Sequence, residues 1–278
     1  METSSSSPDA DADVTRDGAP LRSILVAVGL TVFGLFVLPN FTTLPAFLLD
    51  PAMIEGLEQG SLEGRSLALA LNFVGMALAG IIYLLWTDRG LGWIDLRVPT
   101  ATDWKYLILG SIGSIAFLYA ISIIFTLLGV TAAESNVMDI VGEDQTMILI
   151  MIVIVFFFNA PAEEFLFRNI IQKRLYEAFS RMQAIVVTSV IFAAVHFPMY
   201  MFAETMVATM ASLTVMFGGS VIFGYVYAKT DNLLVPTAAH AVLNAFQFVM
   251  LYIAIEYDIE QGEPAPSLLV DALSVLPL

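Results

Sequence analysis

Seven apolar, nearly charge-free stretches recur along this chain at lengths close to the ~20 residues that a helix rising ~1.5 Å per residue needs to cross ~30 Å of hydrocarbon. They run approximately Leu21 to Leu38, Ser66 to Trp86, Tyr106 to Val130, Thr146 to Leu175, Met182 to Phe197, Met206 to Ala228 and Leu233 to Ile255. The pattern predicts an all-α, polytopic transmembrane helix bundle of about seven spans. Composition agrees: 58% of residues are hydrophobic, only 13% are charged, and the mean hydropathy is +0.83. Soluble domains carry about 25% charged residues. A net charge of -15 argues against a nucleic-acid partner, whose phosphates would need to be neutralised. With no cysteine, disulfides, thiolate metal sites and cysteine nucleophiles are excluded. Any chemistry must come from oxygen, imidazole or a bound ion.

Residues 1–20 are Ser-, Asp- and Ala-rich without an apolar run, which predicts a disordered acidic tail. Residues 21–278 then form a single transmembrane domain. Phe41 to Ile54 reads as interfacial or re-entrant, and Ser267 to Leu278 is apolar but too short to span. The fourth stretch passes through Asn159 and Pro161 into a polar segment, so a kinked helix and two half-helices are both open. Small residues at four-residue spacing, such as Gly75 with Ala79 and Ser220 with Gly224, suggest close helix contacts. Basic residues set the orientation. With the amino terminus in the cytoplasm, Arg65 is the one basic residue outside, while the other ten lie in or beside inside segments.

Ionisable groups in membrane helices are costly and call for a partner, a watery cavity or a function. Glu164 and Arg168, four apart, share a helix face where a salt bridge lowers the cost of burying both. Glu163 points about 100° away and is left for general acid or base work. The alternative is that both glutamates rest at the interface among Arg168, Lys173 and Arg174. The chain has two histidines, and both fall in predicted spans. Phe192 and His196 share a face, so the ring can pack on the imidazole; His240 and Asn244 share another and offer an imidazole and an amide to one point, as an oxyanion requires. Counting ~1.5 Å per residue from the predicted cytoplasmic ends puts Glu163 ~12 Å deep and His196 ~21 Å deep. The residues alone do not separate the roles of the two histidines.

The elements Glu-Glu-x-x-x-Arg at Glu163, Glu164 and Arg168, Phe-x-x-x-His at Phe192 and His196, and His-x-x-x-Asn at His240 and Asn244 follow in order on separate spans. In this the chain resembles the CPBP family of intramembrane proteases, which includes CAAX prenyl endopeptidases and bacteriocin-processing or immunity proteins. The similarity covers a motif-bearing core at 140–252. The resemblance implies an endopeptidase in a polar cavity open to the cytoplasm. Glu163 and His196 would activate water, His240 and Asn244 would stabilise the oxyanion, and Glu164 and Arg168 would support them. Its substrate would be a membrane-associated polypeptide, with or without a lipid anchor. No obligatory cofactor is expected; the alternative is a divalent metal such as zinc on Glu163, His196 and His240. The rival classes are a proton-coupled secondary transporter and a noncatalytic immunity or scaffold protein of the membrane.

Overall fold

The computed structural model describes residues 20–133, 140–141, 144–200 and 205–257. The predicted acidic tail, Pro20 apart, and the predicted outside acidic residues Asp258, Glu260 and Glu263 lie outside the described residues. Among those described, helices account for nearly all the structure and no strand occurs.

Seven helices define the architecture: α1 Pro20–Leu49, α2 Leu62–Trp86, α3 Ala101–Leu128, α4 Gln145–Leu175, α5 Arg181–Val195, α6 Met206–Thr230 and α7 Leu234–Glu256. Six are long and apolar enough to cross a membrane. The exception is α5. Its 15 residues rise only ~22 Å, so the expectation of about seven spans becomes six full-length helices and one short one. The sequence sets both its ends. Ser180 and Gln183 form a reciprocal capping box at its start, and Pro198, which has no backbone N–H, follows the terminal His196.

Other ends have equally local causes. The Ser61 side chain accepts the Gly64 N–H at the start of α2, and Thr100 with Asp103 forms a capping box on α3. Gly129, at φ +64°, closes α3 in the left-handed conformation. In α1 the predicted span runs on past Leu38. The helix bends at Thr43, between Pro39 and Pro45, and continues to Leu49 with Leu48 and Leu49 exposed. The segment expected to be interfacial is therefore largely helical.

α4 is one helix, not two halves. It widens to π-helical turns over Val155–Asn159 and Phe165–Gln172 on either side of Pro161. A proline supplies no N–H and crowds the preceding turn, and a widened turn lets the helix pass it without a break. The apolar first half of α4 exposes Leu149, Val153 and Phe157, whereas every residue from Phe165 to Gln172 is buried. The second half thus runs through the centre of the bundle, packed by α2, α5, α6 and α7. Close approach around it depends on missing side chains. A Cβ on Gly75 would come within 2.9 Å of the Pro39 backbone, and one on Gly224 within 2.7 Å of the Gln172 side chain and 3.1 Å of Ile185. The suggested small-residue contacts are present in both places.

At one end of the bundle, where α2 and α4 finish and α3 and α5 begin, ion pairs tie the loops together. They join Arg89 to Glu177 at 2.7 Å, Lys173 to Asp95 at 2.7 Å, Arg97 to Asp103 at 2.5 Å and Arg181 to Asp231 at 2.8 Å. Arg65, at the opposite end, donates to the Ile140 carbonyl at 2.6 Å. The asymmetry of basic residues read from the sequence is thus an asymmetry between the two ends of the fold.

Candidate active site

The widened α4 presents polar side chains to α5, α6 and α7 at the middle of the bundle. Glu164 and Arg168, both fully buried, form the predicted pair, with Arg168 Nε donating to Glu164 Oε2 at 2.8 Å. A second guanidinium nitrogen donates to Ser220 Oγ on α6 at 3.0 Å. The other oxygen, Glu164 Oε1, accepts from His240 Nδ1 on α7 at 3.0 Å. This fixes the His240 tautomer in the neutral ring, with the proton on Nδ1 and a lone pair on Nε2. Phe223 of α6 stacks on the same imidazole, with ring centroids 4.8 Å apart and planes at 19°.

Asn244, one turn along α7, donates from Nδ2 both to His240 Nε2 at 3.2 Å and to Asn159 Oδ1 at 3.0 Å. Asn159 in turn donates to Glu163 Oε1 at 2.9 Å. The remaining oxygen, Glu163 Oε2, has no hydrogen-bond partner among the described residues and lies 4.0 Å from His240 Nε2. A buried acceptor left open in this way is an exception among native polar groups, and it faces the place where chemistry could occur.

His196 caps the short α5. Its Nδ1 donates to the Phe192 carbonyl at 2.6 Å, leaving Nε2 as the acceptor of the neutral ring. Phe192 packs against the imidazole with centroids 4.5 Å apart, as its four-residue spacing predicted, and is itself held by Phe167 at 4.9 Å and by the Arg168 guanidinium at 5.6 Å. Glu163 and His196 line one cavity of about 490 Å³, which otherwise has mostly apolar walls from α1, α2, α4 and the segment after α5.

All seven residues singled out by sequence are therefore buried, and hydrogen bonds or ring contacts join them into two adjacent groups. Glu163, Glu164, Arg168, His240 and Asn244 form one network; His196 and Phe192 stand beside it across the cavity and the Arg168 guanidinium. Three participants carried no assignment. In the sequence Asn159 marks only a break in an apolar run, although its spacing of four from Glu163 is the same signal that pairs Glu164 with Arg168. Ser220 stands out there only as a small residue. Nothing in the sequence marked Phe223.

In the metal alternative the ion would be held by Glu163 Oε2, His196 Nε2 and His240 Nε2. Among the described residues no three His, Asp or Glu side chains are grouped to hold an ion. At His240, Nδ1 donates to Glu164 and Nε2 accepts from Asn244.

Fold and site together define a polytopic helical membrane protein with a buried glutamate-histidine-asparagine cluster whose Glu163, like the neighbouring His196, lines a cavity. Within that class, residues 145–246 match the family described as "Type II CAAX prenyl endopeptidase Rce1-like". The chain is also 28% identical, over 152 residues, to the Bacillus subtilis (strain 168) protein named "Putative membrane peptidase YdiL". That similarity takes in 55% of this chain and 57% of the relative, less than two thirds of its length. No solved structure matches. The two matches bear out the resemblance to CPBP intramembrane proteases, and the matched segment holds every motif residue.

Proposed function

We propose that the protein is an intramembrane endopeptidase that hydrolyses a peptide bond of a membrane-associated polypeptide with an activated water. The observation that carries this reading is that one cavity is lined both by Glu163, whose Oε2 has no hydrogen-bond partner among the described residues, and by His196, an imidazole whose Nε2 is left to accept. A water between them would be aligned by His196 Nε2 and lose its proton to Glu163 as its oxygen attacks the carbonyl carbon. The resulting oxyanion would take the N–H that Asn244 now gives to His240 Nε2, while the Glu164 carboxylate holds the His240 ring in place through Nδ1–H. On collapse the C–N bond breaks and the departing amine takes up the proton held by Glu163. No step needs an oxidant or a resident ion. The apolar walls of the cavity suit a lipid-anchored or membrane-embedded segment, and a lipidated carboxyl terminus is the substrate we favour.

The direct test is cleavage of a membrane-anchored or lipidated peptide by the purified protein in proteoliposomes. Turnover should survive exhaustive chelation unchanged. Loss on chelation with recovery on adding zinc would replace the metal-free scheme; transport of a solute with no cleavage of any such peptide would replace the protease reading altogether.

Asn159 links the two halves of the machinery, so Asn159→Ala should lower kcat by about 10- to 100-fold, the range expected for one hydrogen bond to a charged group. KM should change little, because Asn159 does not line the cavity. Steady-state kinetics on the peptide separate the two parameters, and a change confined to KM would remove Asn159 from the scheme.

A further inference from the structure

A second cavity, of about 570 Å³, lies between the end of α2 and the start of α1 and shares no lining residue with the one at Glu163. Its rim carries Arg22, Arg89 and Arg174, three of the eleven basic residues in a chain whose net charge is -15. Below them the walls are apolar, among them Val26, Leu30, Phe33 and Ile82. We propose that this is a seat for one anionic phospholipid, whose phosphate rests among the three arginines while an acyl chain descends the groove between α1 and α2.

Charge supports the anion. Glu177 is bridged by Arg89, at 2.7 Å, and by Arg174, so one carboxylate answers two guanidinium groups. Arg22 makes no ion pair among the described residues, and the rim keeps an excess of positive charge. Planar guanidinium groups give paired donors that match the oxygens of a phosphodiester. Arg174 is not a solvated surface group, since its side chain is only 13% exposed.

Shape supports the lipid over a free ion. Gly29, which lines the groove, is exposed, and a Cβ built on it would meet nothing within 4 Å, so the groove is open along this face of α1. Trp86 lines the groove at 84% exposure, and Leu25 and Leu85, on the same two helices, are exposed at 62% and 65%, side chains suited to lipid rather than water. Trp86 and Tyr83 line the cavity near its charged rim, where amphipathic rings favour the headgroup level. Basic pockets between membrane helices are known to select anionic headgroups by this combination of charge and apolar reach.

The test uses the full chain purified in a neutral detergent. Phosphatidylglycerol and phosphatidylcholine with identical acyl chains are titrated while the thermal unfolding midpoint is followed, and retained lipid is counted by native mass spectrometry. Phosphatidylglycerol should raise the midpoint and remain as one molecule per chain; phosphatidylcholine should do neither. Arg22→Gln and Arg174→Gln should each weaken phosphatidylglycerol binding about fivefold, the effect of ~1 kcal/mol per basic residue. Arg22→Gln removes no ion pair of the described structure, so its unliganded stability should equal that of the parent and keeps the test clear of misfolding. Lys229→Gln, which does not line the cavity, should bind as the parent does. Equal binding of the two lipids, undiminished binding by Arg22→Gln, or an equal shift from inorganic phosphate alone would each overturn the proposal.

Discussion

Glu163→Gln is expected to lower turnover of a membrane-anchored peptide by about 10²- to 10⁴-fold, the contribution typical of a positioned general base. The substitution is nearly isosteric, and the amide oxygen can still accept from Asn159 Nδ2, a bond now 2.9 Å long. What it removes is the second oxygen, Oε2, which lies 4.0 Å from His240 Nε2 and has no other partner among the described residues. An amide nitrogen in that place cannot take a proton from water. It also removes a negative charge next to Glu164, so the fold has no electrostatic reason to weaken. Turnover should be measured beside thermal unfolding of the same preparation. A variant that unfolds like the parent yet cleaves within threefold of its rate would remove Glu163 from the base role and with it the proposed mechanism.

What the sequence disclosed and what it concealed divide along a physical line. Apolar length and four-residue spacing are properties of a single helix. They were enough to locate all six full-length helices, the Glu164–Arg168 pair and the packing of Phe192 on His196. Contacts between helices distant in sequence leave no such trace. Asn159 and Asn244 are 85 residues apart and bond at 3.0 Å, and Phe223 meets His240 only because α6 and α7 pack side by side. The shortness of α5 is legible in its brief apolar stretch, and its ends in Ser180 and Gln183 at the start and Pro198 beyond His196. A rise counted along separate helices puts His196 ~9 Å below Glu163, and both line the same cavity.

The largest loss of stability is expected from Arg168→Met. Arg168 and Glu164 are both fully buried, and the arginine holds Glu164 Oε2 at 2.8 Å and Ser220 Oγ at 3.0 Å. With the guanidinium gone, the Glu164 carboxylate keeps only the His240 Nδ1–H among these donors and is left as a buried charge without its counterion. Breaking a buried pair from one side costs about 3–5 kcal/mol, more than the pair itself contributes, because the remaining ion has been taken out of water with nothing to compensate it. Removing both charges is a different matter. Glu164→Gln combined with Arg168→Met leaves an amide whose oxygen can still accept from His240 and an apolar side chain of similar length in the Arg168 space, so most of the lost stability should return. Activity should not return with it, since the anionic acceptor that polarises the His240 Nδ1–H is replaced in the double variant by a weaker, neutral amide oxygen. Unfolding in mixed micelles for the parent, both single variants and the double variant gives the coupling energy directly. A loss below ~1 kcal/mol for Arg168→Met would mean that water reaches the pair and that the centre of the bundle is wetter than its packing implies. Parental turnover in the double variant would mean that Glu164 serves the fold alone, with His240 positioned by Phe223 and Asn244.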